Sequence, residues 1–165
     1  MAAGRPTNLR AKTSSCVAHP TAPCADFPVA RSLLGLEAMR SNLLIVEDHE
    51  SGRLTMGEYF EAIGYSVTLA RDVQEALDRI ASGPFAIVIT DLRLSPFSPA
   101  EGLDVVAAAR ARLPGAAILV VTAYANPEIV ERARRLGADV VLHKPQSLDT
   151  LAELASSLVV RRAAG

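Results

Sequence analysis

Asp91 ends the run of apolar and β-branched residues in AIVITDLRL, residues 86–94. A short apolar run that stops at a carboxylate is what a buried strand carrying a side chain to its mouth looks like. On its own, such an acid is more often a helix or turn cap than a reactive group. Other side chains, however, have the same placement. Glu47 and Asp48 follow Leu43, Leu44, Ile45 and Val46; Thr122 follows the run 117–121; Lys144 leaves the run 139–142 after His143. Three carboxylates brought together without a cation repel by about 4 kcal/mol per pair at ~4 Å and an effective dielectric near 20. They either take up protons or hold a hard cation. Mg2+ suits such a set, because it prefers oxygen ligands and is commonly held by one or two carboxylates plus phosphate oxygens. Lys144 and the Thr122 hydroxyl suit the other oxygens of a phosphoryl group, and Asp91 is then the nucleophile that forms an acyl phosphate.

The elements that must position these groups alternate in type. Strand residues 43–46 precede a helix over 49–63, with Met56, Phe60 and Ile63 at helical spacing and Gly64 as its stop. A strand over 65–70 leads to a second helix, in which Asp72 and Glu75 form a capping pair ahead of Val73, Ala76, Leu77 and Ile80. The strand 86–90 is apolar at nearly every position, as a central parallel strand covered on both faces requires. A loop over 92–101 follows, longer than the usual 2 to 6 residues. Gly102 opens the third helix, with Leu103, Val106 and Leu113; Pro114 and Gly115 end it. Asn126 and Pro127 cap and start the fourth helix over 128–136, Gly137 closes it, and Ser147 caps the last, striped by Leu148, Leu151, Leu154 and Leu158. Five strand–helix alternations predict an α/β fold: a doubly wound five-stranded parallel sheet with helices on both faces and ligands at the carboxyl ends of its strands.

Composition bounds the rest. The chain has 165 residues, 50% hydrophobic and 21% charged, enough for one core. A net charge of -1 disfavours direct binding to nucleic acid, which needs a basic footprint. No apolar run approaches the roughly 20 residues of a membrane span, and residues 1–40 lack the apolar core of a secretory signal, so a cytoplasmic location is expected. Those 40 residues, with Pro6, Pro20, Pro23 and Pro28 and no sustained periodicity, are expected to form a disordered extension with a short helical turn at 31–39. Met39 is also read as a candidate start, which would make the extension an artefact of the start site. Cys16, His19 and Cys24 lack a compact ligand spacing and are read as incidental.

Residues 42–160 resemble the receiver domain of two-component response regulators. The matching motifs are the acid pair in LLIVEDHE, the acceptor in VITDLRL, the threonine in LVVTAYA and the Lys-Pro pair in VLHKPQ. The resemblance implies a flavodoxin-like fold, with a receiver domain at 41–162. It implies that Asp91 accepts the phosphoryl group and that Thr122 and Lys144 bind it. It also implies that Asp48, Asp91, the Arg93 main-chain carbonyl and, through water, Glu47 hold Mg2+. The Lys144–Pro145 peptide is cis in many receivers. The implied donor is a sensor histidine kinase or histidine phosphotransfer protein. The output would run through an unknown protein partner contacted by the fourth and fifth helices, possible homodimerisation included. With nothing after Gly165, a stand-alone receiver without an output domain is expected, non-enzymatic apart from gaining and losing its own phosphate.

Departures from the family pattern are visible too. The 92–101 loop is about three residues longer than in the shortest receivers, and Val141 stands where an aromatic switch residue is common. Arg93 and Tyr124, two residues after the acceptor and the threonine, are expected to shield the acyl phosphate. The alternatives are a haloacid-dehalogenase-type phosphohydrolase, whose second acid would stand where Arg93 does, and a receiver-like binding module that takes no phosphate. His49 and His143 read as rim side chains, and Arg132, Arg134 and Arg135 as a solvated helix face.

Overall fold

The computed structural model describes residues 41–98 and 100–164. The expectations for residues 1–40, the cysteines included, lie outside the described residues. Ten elements follow in strict alternation: β1 Asn42–Val46, α1 Glu50–Ala62, β2 Ser66–Ala70, α2 Val73–Ser82, β3 Ile87–Thr90, α3 Gly102–Arg112, β4 Ala117–Thr122, α4 Pro127–Arg135, β5 Val140–His143 and α5 Leu148–Ala163. All strand pairs are parallel and the sheet order is β2-β1-β3-β4-β5, the flavodoxin-like order.

Because successive side chains of a strand face opposite ways, the sheet makes two cores. Leu44, Val46, Val88, Ile118 and Val120 pack with Ala76, Ile80, Leu103, Val106, Ala109 and Ala133 of α2, α3 and α4. On the other face Leu43, Ile45, Ile87, Ile89 and Leu119 pack with Phe60 of α1 and with Leu151, Ala155 and Leu158 of α5. Both faces of β1, β3 and β4 are therefore dry, which accounts for their unbroken apolar sequences.

The capping expectations hold. Asp72, Asn126 and Ser147 each accept a bond from the backbone N–H three residues on. Glu75 reaches back one residue further than a standard capping box, to the Arg71 N–H at 3.2 Å. Gly64 and Gly137 adopt φ of 102° and 110°, the left-handed turn that closes α1 and α4. In the first of these turns the Tyr65 N–H bonds back to the Phe60 carbonyl at 3.0 Å, so Tyr65 cannot join the ladder and β2 begins at Ser66, one residue later than its sequence predicts. Thr122 is the last residue of β4 rather than the first beyond it, and β5 runs to His143.

Candidate functional site

Backbone bonding carries the sheet one step past its strands and so fixes the site. The Glu47 N–H bonds the Ala70 carbonyl at 3.1 Å, the Asp91 N–H bonds the Val46 carbonyl at 3.0 Å, and the Lys144 N–H bonds the Thr122 carbonyl at 2.9 Å. Since β3 lies between β1 and β4, the acid pair, Asp91 and Lys144 come out at one edge. They line an open cleft of about 1110 Å³ together with Asp48, His49, Arg93 and Tyr124.

Lys144 is the centre of the constellation. Its Nζ donates to Glu47 Oε2 at 2.5 Å and to Asp91 Oδ2 at 2.7 Å, although these residues are 97 and 53 positions away in sequence. Glu47 is 4% exposed and Asp91 8%, so both carboxylates are largely removed from water. Burial of the Lys144 ammonium favours its neutral form; the bonds it donates to Asp91 and Glu47 outweigh that and hold its pKa above the ordinary lysine value. Lys144 precedes Pro145 across a cis peptide bond.

Asp91 is further held by two backbone donors to Oδ1, Leu92 N–H at 2.6 Å and Arg93 N–H at 3.2 Å. Asp48 sits beside it on the cleft wall, with its side chain 29% exposed. Thr122 is fully buried, and its hydroxyl accepts the Tyr124 N–H at 3.2 Å. The structure thus brings Glu47, Asp91 and Lys144 into direct contact, places Asp48 in the same cleft, and joins Thr122 to them through the Lys144 backbone.

The two residues expected to shield the acceptor touch each other. Arg93 donates to the Tyr124 hydroxyl at 2.6 Å, and its guanidinium carbon stands 5.1 Å from the centre of the Tyr124 ring, a cation–π contact. They close a bridge over the cleft from the β3–α3 loop to the β4–α4 loop. Val141 is half-buried against the α2–α3–α4 core. Phe97, in the long loop, is 93% exposed. Arg132, Arg134 and Arg135 are exposed on α4, as expected.

Three supporting residues escape the sequence reading. Thr90 is fully buried and donates to the Asp91 carbonyl at 2.7 Å. Arg53 donates to the Glu47 and Asp48 carbonyls at 2.8 and 3.2 Å, clamping the acid pair from α1. Gly102 reads in sequence only as a helix start. A Cβ there would stand 2.0 Å from the Asp91 carbonyl oxygen, and its N–H bonds the Leu92 carbonyl at 2.8 Å. That bond does what a side-chain cap would otherwise do for α3, since Glu101 makes none. The Gly102 contact joins residues 11 positions apart on different elements and Arg53 reaches the acid pair from α1, whereas Thr90 bonds its own neighbour, a contact that no periodicity announces.

Comparison with known proteins gives the family. The family model described as the response regulator receiver domain matches residues 43–156. The chain belongs to the receiver domain family. A cyclic di-GMP phosphodiesterase of Thermotoga maritima is 35% identical over 109 residues, covering 66% of this chain and 28% of that protein. The acid tolerance regulatory protein ActR of Rhizobium meliloti is 34% identical over 110 residues, covering 67% of this chain and 55% of that protein. The receiver therefore spans about a quarter to about half of the length of these curated relatives. Among solved structures, a response regulator of Burkholderia pseudomallei with a phosphorylated aspartic acid, a calcium ion and citrate matches at TM-score 0.66 and 30% identity, over 75% of this chain and 71% of that one. A CheY-like receiver domain of Methanospirillum hungatei matches at TM-score 0.71 and 26% identity, over 76% and 98%. Receiver domains are modules of two-component signalling, and they bind Mg2+ at an acidic pocket. The donors here fit such an ion: hard carboxylate oxygens, of which those of Glu47 and Asp48, with a nitrogen of His49, lie within 4.8 Å of one another. No helix among the described residues is long and apolar enough to cross a membrane.

Proposed function

We propose that residues 41–162 form a phosphorylation-controlled signalling module whose acceptor is Asp91. The observation that carries this reading is the buried Asp91 carboxylate at a strand end, held by Lys144 at 2.7 Å beside a second acid, Glu47, that the same ammonium holds at 2.5 Å. An Asp91 oxygen attacks the phosphorus of a phosphohistidine on a sensor kinase or phosphotransfer protein; the O–P bond forms and the N–P bond breaks, returning the imidazole. Water later cleaves the acyl phosphate to inorganic phosphate and the free carboxylate.

Asp48, Asp91, the Arg93 carbonyl and, through water, Glu47 would hold Mg2+, which would supply charge neutralisation for the phosphoryl oxygens. The chain's own groups do the rest. Lys144 pairs with a phosphoryl oxygen in place of part of its present carboxylate contact, and the Thr122 hydroxyl turns from the Tyr124 N–H toward another. The two backbone N–H groups on Oδ1 orient the carboxylate for attack. Arg93 carries a cation where a phosphohydrolase of the aspartyl-nucleophile type would need an acid, so the module stores phosphate rather than turning it over. Its state is read by protein contacts, and the surface of α4, β5 and α5 is the reading face.

The test is incubation with acetyl phosphate, or with beryllofluoride, in the presence of Mg2+, followed by intact-mass or fluorine spectroscopy. Wild type gains one adduct and Asp91→Asn none. Absence of an adduct on wild type overturns the reading.

A further inference from the structure

We propose that Arg53 is a positioning residue of the cation site: it fixes the direction of Asp48, and with it the affinity for Mg2+, by holding main-chain carbonyls rather than carboxylates. Asp48 and Asp91 as Mg2+ ligands are the reading on which this rests; Arg53 itself offers the ion no donor.

The three acids of the cleft are held unequally. Asp91 receives the Leu92 and Arg93 N–H groups on Oδ1 and Lys144 on Oδ2, and the buried Glu47 also receives Lys144. The Asp48 carboxylate meets only the His49 ring among the described residues, and that ring is 79% exposed and free to turn. Where Asp48 points therefore depends on its main chain. That main chain has already left the sheet, since the Glu47 N–H makes the last bond to β2, at Ala70, and α1 begins only at Glu50. The Glu47 and Asp48 carbonyls fall in the gap between strand and helix.

Arg53 closes that gap twice. Its N–H bonds the His49 carbonyl at 2.9 Å in the first turn of α1, and its Nη1 donates to the Glu47 carbonyl at 2.8 Å and the Asp48 carbonyl at 3.2 Å. Two successive planar peptide units tied to one nitrogen leave the torsions around Asp48 little freedom, and those torsions aim its side chain. The choice of acceptor is informative as well. An arginine beside several carboxylates gains most from a charge-assisted bond to one of them. Among the described residues Arg53 pairs with none and gives these bonds to neutral carbonyls, so the carboxylates stay open to a cation while the backbone beneath them is held.

Position and charge pull in opposite directions here. A guanidinium near the site repels a divalent cation, so by charge alone its removal tightens Mg2+. Loss of the clamp lets Asp48 swing away and loosens it.

The experiment measures Mg2+ binding to the full chain by calorimetry for wild type, Arg53→Met, Arg53→Lys and Asp48→Asn, with urea unfolding of each in metal-free buffer. Arg53→Met is expected to weaken Mg2+ about tenfold, the scale usual for a residue that orients a metal ligand. Arg53→Lys, whose ammonium can still donate to both carbonyls, is expected to stay within about threefold of wild type. Unchanged or tighter Mg2+ in Arg53→Met overturns the proposal, whatever its unfolding midpoint does, and so does equal weakening by Arg53→Lys. If Arg53→Met does not fold, Arg53→Gln takes its place with the same sign required. Asp48→Asn must weaken Mg2+; if it does not, the ion lies elsewhere and the Arg53 proposal falls with the cation reading. Beryllofluoride is added to the Mg2+-loaded wild type: failure to form the adduct there counts against Asp91 as acceptor and leaves the Arg53 comparison to decide its own case.

Discussion

At the amino edge of the sheet, Asp139 is surrounded by partners. Its carboxylate accepts from Ile118 N–H at 2.8 Å, Arg110 at 3.1 Å and Arg162 at 2.5 Å, and Arg110 goes on to bond the carbonyls of Gly137, Pro114 and Ala116. At the carboxyl edge, Glu47 and Asp91 share one ammonium and Asp48 faces His49. Both edges set carboxylates against cationic side chains. One carboxylate with two arginines ties together α3, the start of β5 and the end of α5, and its charge is more than balanced. Three carboxylates with one lysine leave negative charge over, which disfavours the free protein and favours whatever cation or phosphoryl–cation pair arrives. The amino edge is built for stability, and the carboxyl edge keeps charge in reserve for a ligand.

Substitutions that reverse sign between the two edges break or sharpen this comparison. The largest effect is expected for Asp139→Ala, which strands two partly buried arginines and the Ile118 N–H: urea unfolding should show a loss of about 2 to 4 kcal/mol, with the Asp91 adduct still formed. A destabilisation below about 0.5 kcal/mol would place the joint among ordinary surface pairs.

Gly102→Ala comes next and couples the edges, because the added methyl meets the Asp91 carbonyl at 2.0 Å and the backbone on one side has to move. A cost of about 1 to 3 kcal/mol is expected, together with slower phosphorylation, since the main chain that shifts is the acceptor's own. Unchanged kinetics at reduced stability would show that the loop absorbs the methyl without disturbing Asp91.

Asp91→Asn should have the opposite sign to Asp139→Ala. Without divalent metal it should stabilise the fold by about 1 kcal/mol by relieving repulsion around Lys144, and saturating Mg2+ should erase the advantage because wild type gains from binding. Destabilisation in metal-free buffer would contradict the charge imbalance.

The bridge over the cleft gives a smaller effect. Arg93→Ala and Tyr124→Ala are each expected to speed phosphoryl loss about threefold, less than ~1 kcal/mol in barrier, and the double variant no more than either, since one contact is removed twice. Additive or slower loss would end the shielding reading.

The smallest effect is in alkaline pH. A lysine whose folded pKa lies above its unfolded value of roughly 10.4 contributes its full stabilisation below that value and loses it as pH rises through the folded pKa. Lys144→Met should therefore show a shallower fall in stability above about pH 10 than wild type. Tyr59, pushed up to about 12 by its bond to Asp149, and Tyr65, raised by burial, act in the same range in both proteins and cancel in the difference.

What the sequence determined by itself is whatever depends on near neighbours. The alternation of elements, the caps at Asp72, Asn126 and Ser147, the left-handed stops at Gly64 and Gly137, and the arrival of Glu47, Asp48, Asp91 and Lys144 at strand ends all follow from side-chain periodicity and bonds within a few residues. Tertiary structure decided what those groups touch. The strand order sets β3 between β1 and β4 and so lets Lys144 bridge Glu47 and Asp91. It also pairs Arg93 with Tyr124, presses Gly102 against the acceptor's carbonyl and gathers Arg110 and Arg162 on Asp139. These contacts join residues 11 to 97 positions apart, and no local pattern encodes them, because their energy exists only once the sheet has brought the elements side by side.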